Sequence, residues 1–187
     1  EYLWLPERLG HEYGSEVIFG FKHYILVKTG MTPPPLYKEL SLLLPTSGST
    51  GSSKLVRHSY KNVEANARNV SLLFGLDKHE RALAALPIYY TMGLSVISSH
   101  IYAGATILLT GKSLTDGKFW TFMKEHRATS FTGVPYSFEV LQKLRFFRME
   151  LPHLQLITQG GGKMDEKLFR TCADYAEKNG KKFIATY

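Results

Sequence analysis

The sequence predicts an α/β fold in which a mainly parallel sheet of about six strands is flanked by helices. Short apolar runs of strand length recur along the chain, and their near-continuous hydrophobicity is typical of strands covered on both faces. Segments with helical periodicity lie between these runs, and strands that alternate with helices indicate βαβ units. The chain has 187 residues, of which 44% are hydrophobic, and this is enough for one well-formed core.

The first forty residues differ in pattern from the rest. EVIFGFKHYILVK at 16–28 predicts one or two short strands, and the prolines at 33–35 form a stiff connector that prevents regular strand pairing. We therefore divide the chain into an N-terminal segment with this connector, 1–40, and an α/β subdomain, 41–187. The apolar runs that predict strands in the subdomain are LLLP at 42–45, ALAAL at 82–86, TILLT at 106–110, SFTGV at 130–134, LQLIT at 154–158 and KFIAT at 182–186.

Two of the predicted helices have clear start and stop signals. The first is capped by Ser59 and ended by Gly75, and its apolar stripe is Val63, Ala67, Val70 and Phe74. The second starts at Asp165 and Glu166, which favour the helix dipole, and Gly180 follows its end; its stripe is Leu168, Cys172 and Ala176. Weaker helical patterns cover 93–103, 116–127 and 135–147.

Composition and charge limit the function classes. The net charge of +7 comes from 23 basic against 16 acidic residues, and it fits either anionic ligands such as phosphates or a solvated basic surface. One cysteine excludes an internal disulfide framework, and the sequence contains no CxxC or HExxH metal motif. No signal peptide and no membrane-spanning run of roughly 18–20 apolar residues is visible, so we expect a reduced, cytoplasmic setting.

The segment TSGSTGSSK, residues 46–54, has the composition of a phosphate-binding loop. It lies between the LLLP strand and the helix capped by Ser59, at the carboxyl end of a strand, where open α/β sheets bind ligands. Its glycines let backbone N–H groups turn towards a ligand, its hydroxyls add donors, and Lys54 adds a positive charge. This combination suits a polyphosphate, whereas a flexible Ser/Gly linker is the simpler alternative.

Two familiar loop classes fit this segment poorly. A Walker A loop has Gly directly before its Lys and a hydroxyl directly after it, but Ser53 and Leu55 flank Lys54. A P-loop NTPase therefore remains only an alternative. The nucleophile elbow GxSxG is absent, because Gly48 and Gly51 are one residue too close together around Ser49.

TSGSTGSSKLV resembles the phosphate-binding signature of the adenylate-forming superfamily, which includes acyl-CoA synthetases, peptide-synthetase adenylation domains and luciferases. The usual signature has Pro where this chain has Ser53. Later segments resemble other family motifs in the expected order: LPIYYTMGLSV at 86–96, with Tyr90 where the family has His, TGVPYSFEVL at 132–141, LQLITQGGGKM at 154–164, and KFIATY at 182–187. The resemblance covers roughly residues 40–187 and implies a subdomain of the adenylate-forming synthetase fold.

The resemblance also implies a site and a reaction. The phosphates of ATP would be bound by Thr46, Ser47, Gly48, Ser49, Thr50, Gly51 and the catalytic Lys54, and adenine by Gly160, Gly161, Gly162 and Tyr187. Tyr90, Gly133 and Val134 would line the substrate pocket. A carboxylic acid would form an acyl-adenylate and then pass to a thiol, either coenzyme A or a carrier pantetheine, so an acyl-carrier domain is a possible partner. Mg²⁺ would be organised mainly by a residue that follows Tyr187 in the family.

Family members have further chain on both sides of this region, so we expect a middle fragment of a longer ligase that is inactive alone. Other function classes stay open at this point: a P-loop-like NTPase, a noncatalytic nucleotide-binding domain, and a nucleic-acid-binding module that would use the positive charge. We expect no nucleic-acid partner, because basic and aromatic residues are not interleaved as in known modules. The acid itself is not identified by these motifs.

Overall fold

The computed structural model describes residues 2–13, 16–32, 34–45 and 54–186. These residues belong to two compact units, Glu1–Leu40 and Ser41–Tyr187. In the described part of the chain, no helix is both long and apolar enough to cross a bilayer.

The first unit contains a three-stranded antiparallel sheet. Its strands are β1 (Tyr2–Pro6), β2 (Glu16–Phe21) and β3 (Tyr24–Lys28), and β3 lies in the centre. A single 3-10 turn at Glu7–Leu9 and the short helix α1 (Gly10–Tyr13) connect β1 to β2. One or two strands were predicted within 16–28, and the structure has two there; β1 is an addition that the pattern did not predict.

The second unit is built on a five-stranded parallel sheet with the strand order β10-β9-β8-β6-β7. Helices separate the strands along the chain, as the alternating pattern predicted. The strands are β6 (Arg81–Ala84), β7 (Thr106–Leu109), β8 (Ser130–Gly133), β9 (Leu156–Gln159) and β10 (Lys182–Ala185), and the helices are α2 (Tyr60–Phe74), α3 (Thr91–Tyr102), α4 (Gly117–Glu125), α5 (Pro135–Lys143) and α6 (Glu166–Lys178), with a 3-10 turn at Phe146–Arg148.

One predicted strand has a different partner from the one expected. The LLLP run lies in β4 (Leu40–Pro45), which forms a separate two-stranded sheet with β5 (Leu55–Ser59). The parallel sheet therefore has five described strands where about six were predicted. Leu43 is exposed while Leu42 and Leu44 are half-buried, so this strand is covered on one face only. A four-residue apolar run does not distinguish these two kinds of strand.

The predicted helix signals are confirmed in atomic detail. Ser59 Oγ accepts a hydrogen bond from Asn62 N at 3.2 Å, and Gly75 ends α2 in the left-handed region with φ +67°. Asp165 Oδ1 accepts from Leu168 N at 3.0 Å at the start of α6. Gly180 follows this helix with φ +61°.

The two faces of the parallel sheet are covered differently. The face towards α4, α5 and α6 carries a continuous apolar core that includes Phe119, Phe131, Phe138, Phe146, Ile157 and Cys172. The helices α2 and α3 pack on each other, and α3 contacts β6 and β7. Because successive strand residues point to opposite faces, Ser130 and Thr132 point to the α3 side while Phe131 points into the core.

Candidate functional site

The glycine turn, Gly160–Gly162, follows β9 at the carboxyl edge of the parallel sheet. Hydrogen bonds from both neighbouring strands fix its start: Gly160 N donates to Gly133 O at 3.2 Å, and Thr186 N donates to Gln159 O at 2.7 Å. The Gln159 side chain is buried, and its Nε2 donates to Gly162 O at 2.9 Å, so it closes the turn from within. These hydrogen bonds therefore fix the conformation of the turn at the edge where α/β sheets bind ligands.

At two of the three glycines, a Cβ would require a neighbouring side chain to move. A Cβ on Gly160 would lie 2.5 Å from Met92 Cε and 2.6 Å from Thr186 Oγ1. Gly161 has φ +78°, and a Cβ there would collide with the Tyr90 hydroxyl. The glycines thus allow the turn to lie directly against the start of α3.

The LPIYYTMGL segment forms the loop and first turn of α3. Tyr90 is the N-cap residue; its N–H donates to Pro87 O at 3.0 Å, and its carbonyl accepts from Leu94 N at 3.0 Å. Gly93 is buried against the backbone of the preceding loop, where a Cβ would meet Pro87 O and lie 2.9 Å from Leu86 O. This close contact fixes Tyr90 beside Gly161.

The junction of β8 and α5 contributes the third side of the site. Val134 N donates to Ser137 Oγ at 3.2 Å, and Pro135 occupies the first turn of the helix, where its missing N–H costs nothing. Val134 Cγ1 lies 3.4 Å from the position of a Cβ on Gly161. A Cβ on Gly133 would be directed towards α5 and not towards the glycine turn, since it would lie 2.9 Å from Ser137 Cβ and 3.0 Å from the Phe138 ring.

The structure thus brings together the predicted residues of three segments: Tyr90, Gly133, Val134, Gly160, Gly161 and Gly162. Lys54 is exposed and directly precedes β5. Thr46 to Gly51 and Tyr187 lie outside the described residues, so their predicted contacts with phosphate and adenine stay predictions.

A cavity of about 400 Å³ extends under α3 from the glycine turn. It lies between α2, α3 and the sheet, and Gly161, Thr91 and Met92 are at the turn end. Leu42 and Leu44 of β4 form part of its wall, so the LLLP run contributes to this cavity. Tyr90, Gly133 and Val134 are absent from the described lining, although all three lie next to the glycine turn.

Buried hydroxyl groups and an imidazole cover the sheet side of this cavity. Thr132 and Thr158 are paired across β8 and β9, and their Oγ1 atoms are 2.7 Å apart. His100 Nδ1 lies 2.7 Å from Val96 O, and its Nε2 lies 3.3 Å from Ser130 Oγ. Burial lowers the pKa of His100, against a smaller opposing effect of its hydrogen bond to Val96 and of Glu80.

Sequence reasoning missed several residues of this site. Gln159 and Thr186 hold the glycine turn, Met92 packs on it, and His100 with Ser130, Thr132 and Thr158 covers the sheet side of the cavity. Gln159 and Thr186 each stand directly beside a recognised motif residue, which is a usable signal. The hydroxyls of β8 and β9 have no local signal, because only the strand register brings them together.

No three His, Cys, Asp or Glu side chains come together as a metal site within the ranges that the structure describes. The site there consists of backbone, hydroxyl, amide and imidazole groups, which do not form the carboxylate-rich oxygen set that Mg²⁺ prefers. The described residues of this site therefore do not fit Mg²⁺.

Comparison with known proteins gives a consistent picture. The family model described as AMP-binding enzyme matches residues 9–187. A 2-succinylbenzoate–CoA ligase of Staphylococcus aureus is 30% identical over 137 residues, which are 73% of this chain and 27% of that enzyme. The chain thus spans about 27% of the length of the curated relatives it matches.

Solved structures agree with this match. The o-succinylbenzoate CoA synthetase of Bacillus subtilis in complex with the acyl-adenylate intermediate OSB-AMP is 25% identical, with a TM-score of 0.61 over 75% of this chain and 28% of that chain. The N-terminal domain of FACL13 from Mycobacterium tuberculosis has a TM-score of 0.68 at 20% identity, covering 82% of this chain and 38% of that chain, and this supports the fold alone. None of these similarities supports the P-loop NTPase alternative.

Proposed function

The chain belongs to the AMP-binding enzyme family, and from this premise we propose that the protein activates a carboxylic acid with ATP and transfers the acyl group to a thiol. In the first step a carboxylate oxygen attacks the α-phosphorus of ATP, the bond to the β-phosphate oxygen breaks, and pyrophosphate leaves. In the second step the thiol sulfur attacks the acyl carbon, AMP leaves, and the thiol proton passes to solvent. The acceptor is proposed to be coenzyme A or a carrier pantetheine, the latter on an acyl-carrier partner.

The convergence at the carboxyl edge of the sheet is the observation that carries this proposal. The glycine turn presents backbone without side chains, the first turn of α3 lies directly against it, and a cavity opens beside both. A flat backbone surface suits a planar base such as adenine, with Tyr187 proposed as its stacking partner. The cavity suits the acyl part of the acid, and Tyr90 and Val134 are proposed to contact the acid near its carboxylate.

The loop at 46–54 is proposed to bind the β- and γ-phosphates of ATP. Lys54 would neutralise charge that develops as pyrophosphate leaves, which is the kind of electrostatic stabilisation that dominates such transfers. Two of the relatives named above, the 2-succinylbenzoate–CoA ligase and the o-succinylbenzoate CoA synthetase, are named for that acid, but the acid used by this protein is a separate question. Mg²⁺ and a cytoplasmic location remain expectations from the family resemblance and the cysteine usage.

We expect Lys54→Ala to slow adenylate formation in the full-length protein by about 10²-fold or more, as for loss of other charge-stabilising groups. The measurement is carboxylate-dependent exchange of pyrophosphate into ATP with a panel of acids. Lys118→Ala is the matched control, because Lys118 is exposed on α4, whose apolar residues pack on the other face of the sheet.

If Lys54→Ala exchanges pyrophosphate as fast as the control, Lys54 does not take part in adenylate formation. If no acid of the panel supports exchange although ATP binds measurably, the result would instead favour the noncatalytic nucleotide-binding domain.

A further inference from the structure

The cavity under α3 has two chemically different sides. The side formed by β4, β5, α2 and α3 is mainly apolar and includes Leu42, Leu44, Val63, Val70 and Leu94, although His58, Asn62, Asn66 and Ser95 also belong to it. The sheet side carries Ser130, Thr132 and Thr158, and His100 of α3 lies beside Ser130; we define these four residues as the polar row. All four residues of the row are buried, so the row is a feature of the interior rather than a wet surface.

The polar row extends into the molecule from the glycine turn. Thr132 and Thr158 are opposite each other in the middle of their strands, and Ser130 is the first residue of β8. At about 3.3 Å per strand residue, Ser130 lies roughly 10 Å back along β8 from the carboxyl edge. A carboxylic acid whose reacting group lies at the glycine turn would therefore place its distal part along the row.

The hydrogen bonds within the row leave both a donor and an acceptor for a ligand. Two hydroxyls share the Thr132–Thr158 contact, so one donates to the other and the second proton is not used by any hydrogen bond among the described residues. Val96 O can only accept, so His100 Nδ1 carries its proton and the neutral ring accepts at Nε2 from Ser130 Oγ. Ser130 Oγ then keeps lone pairs that can accept a further hydrogen bond.

The described lining contains neither lysine nor arginine. A second carboxylate in this part of the cavity would lose its hydration without gaining a cationic partner. A plain alkyl chain would fit the apolar wall but would remove water from the spare hydroxyl proton without replacing its hydrogen bond. A hydroxyl group can accept from the spare threonine proton or donate to Ser130 Oγ, so it can hydrogen-bond at either position of the row.

We propose that the acid activated by this protein is a hydroxy-substituted carboxylic acid with an apolar body, whose hydroxyl group hydrogen-bonds to the polar row. This inference rests on the proposed function, because it assigns the acyl part of the substrate to the cavity. It deepens that function by naming a substrate class that the motifs alone do not give.

The test uses the full-length protein and a panel of straight-chain acids. Each acid is compared with its hydroxylated counterparts, with the hydroxyl at successive carbons, and with the dicarboxylic acid of equal length. The expected result is a kcat/KM for pyrophosphate exchange about tenfold higher for one hydroxylated position than for the plain acid, with the dicarboxylic acid poorest. Equal or better use of the plain acids would overturn the proposal.

The double variant Thr132→Val/Thr158→Val removes both hydroxyls at nearly constant volume and should reduce the preference to about twofold or less. Thr121→Val is the control, since Thr121 is exposed on α4 and its hydroxyl donates to Gly117 O. An unchanged preference in a folded double variant would overturn the assignment to the row. If the double variant does not fold, the panel on the unmodified protein still decides.

Calorimetric binding of the same acids separates this inference from the proposed function. Binding that favours the hydroxylated acid without any exchange would keep the substrate class and reject the ligase activity. Exchange with a plain-acid preference would keep the activity and reject the substrate class. Absence of both binding and exchange would reject both.

Discussion

Two physical features favour glycine at position 161, and their effects can be measured separately. Its φ of +78° lies in the left-handed region, and a Cβ there would also collide with the Tyr90 hydroxyl. Gly180 has the first property without the second, because its φ is +61° and no atom lies within 4 Å of a Cβ. A substitution at Gly180 therefore measures the cost of backbone strain alone, against which Gly161 can be compared.

We expect Gly180→Ala to lower the free energy of unfolding by about 1–2 kcal/mol, the cost of left-handed backbone for an L-residue. Gly161→Ala should cost clearly more, because the steric overlap with Tyr90 adds to the strain. Introducing Tyr90→Phe into Gly161→Ala removes the colliding oxygen. The double variant should therefore lose only as much unfolding free energy as Gly180→Ala. Equilibrium unfolding of the full-length protein measures all three, and equal losses for the two glycines would contradict the contact.

At the residue scale, the sequence predicts backbone roles better than side-chain groupings. The glycines of the turn were identified because three in a row are hard to explain as an ordinary connection. Thr132, Thr158 and His100 were not identified, because they lie in three separate elements and each is unremarkable in its own segment. Their proximity depends on strand register and on the packing of α3, which no local pattern encodes.

At the element scale, α3 depends on one close backbone contact. Gly93 lies in the first turn of the helix against the carbonyls of Leu86 and Pro87, and neither can move without shifting the loop that carries Tyr90. Gly117, the first residue of α4, is the opposite case, because no atom lies within 4 Å of a Cβ there.

We expect Gly93→Ala to destabilise the protein by about 3 kcal/mol or more, since the overlap is with backbone rather than a flexible side chain. Gly117→Ala should instead be neutral or stabilising by up to about 1 kcal/mol, because alanine loses less conformational entropy in a helix. Thermal unfolding of the two variants provides the comparison. A Gly93→Ala protein as stable as Gly117→Ala would show that the loop relaxes freely.

Element prediction worked where chemistry marks both ends of an element. Ser59 and Gly75 bracket α2, and Asp165 and Gly180 bracket α6, each through a hydrogen bond or a backbone conformation that the residue type favours. No residue in or beside the LLLP run indicates which strand it pairs with. Its hydrophobicity gave the strand, but its neighbour in the sheet depended on residues distant in the chain.

At the scale of the whole molecule, the apolar core lies on one face of the parallel sheet and the cavity on the other. Cys172 belongs to the core, where burial raises the pKa of its thiol to about 12. The thiolate is the reactive form, so at neutral or mildly basic pH this cysteine is protected both by low access and by protonation.

We expect Cys172 to resist a maleimide reagent at pH 8 in the folded protein and to react fully in guanidinium chloride. Peptide mapping by mass spectrometry after timed labelling identifies the residue in the full-length protein. The labelling rate at intermediate denaturant then reports opening of the core around α6. Native labelling as fast as denatured labelling would mean that this core is not closed.

Positions that form the core and positions that line the cavity alternate along β8, so the two can change independently in evolution. Phe131 is part of the core, whereas its neighbours Ser130 and Thr132 face the cavity. Under the proposal that this cavity binds the acyl part of the acid, substitutions at the latter positions would change the acid that is selected without altering the apolar core on the other face. A lineage built on this sheet can therefore explore new substrates at little cost to folding, which is consistent with matched relatives that share the fold at 20–30% identity.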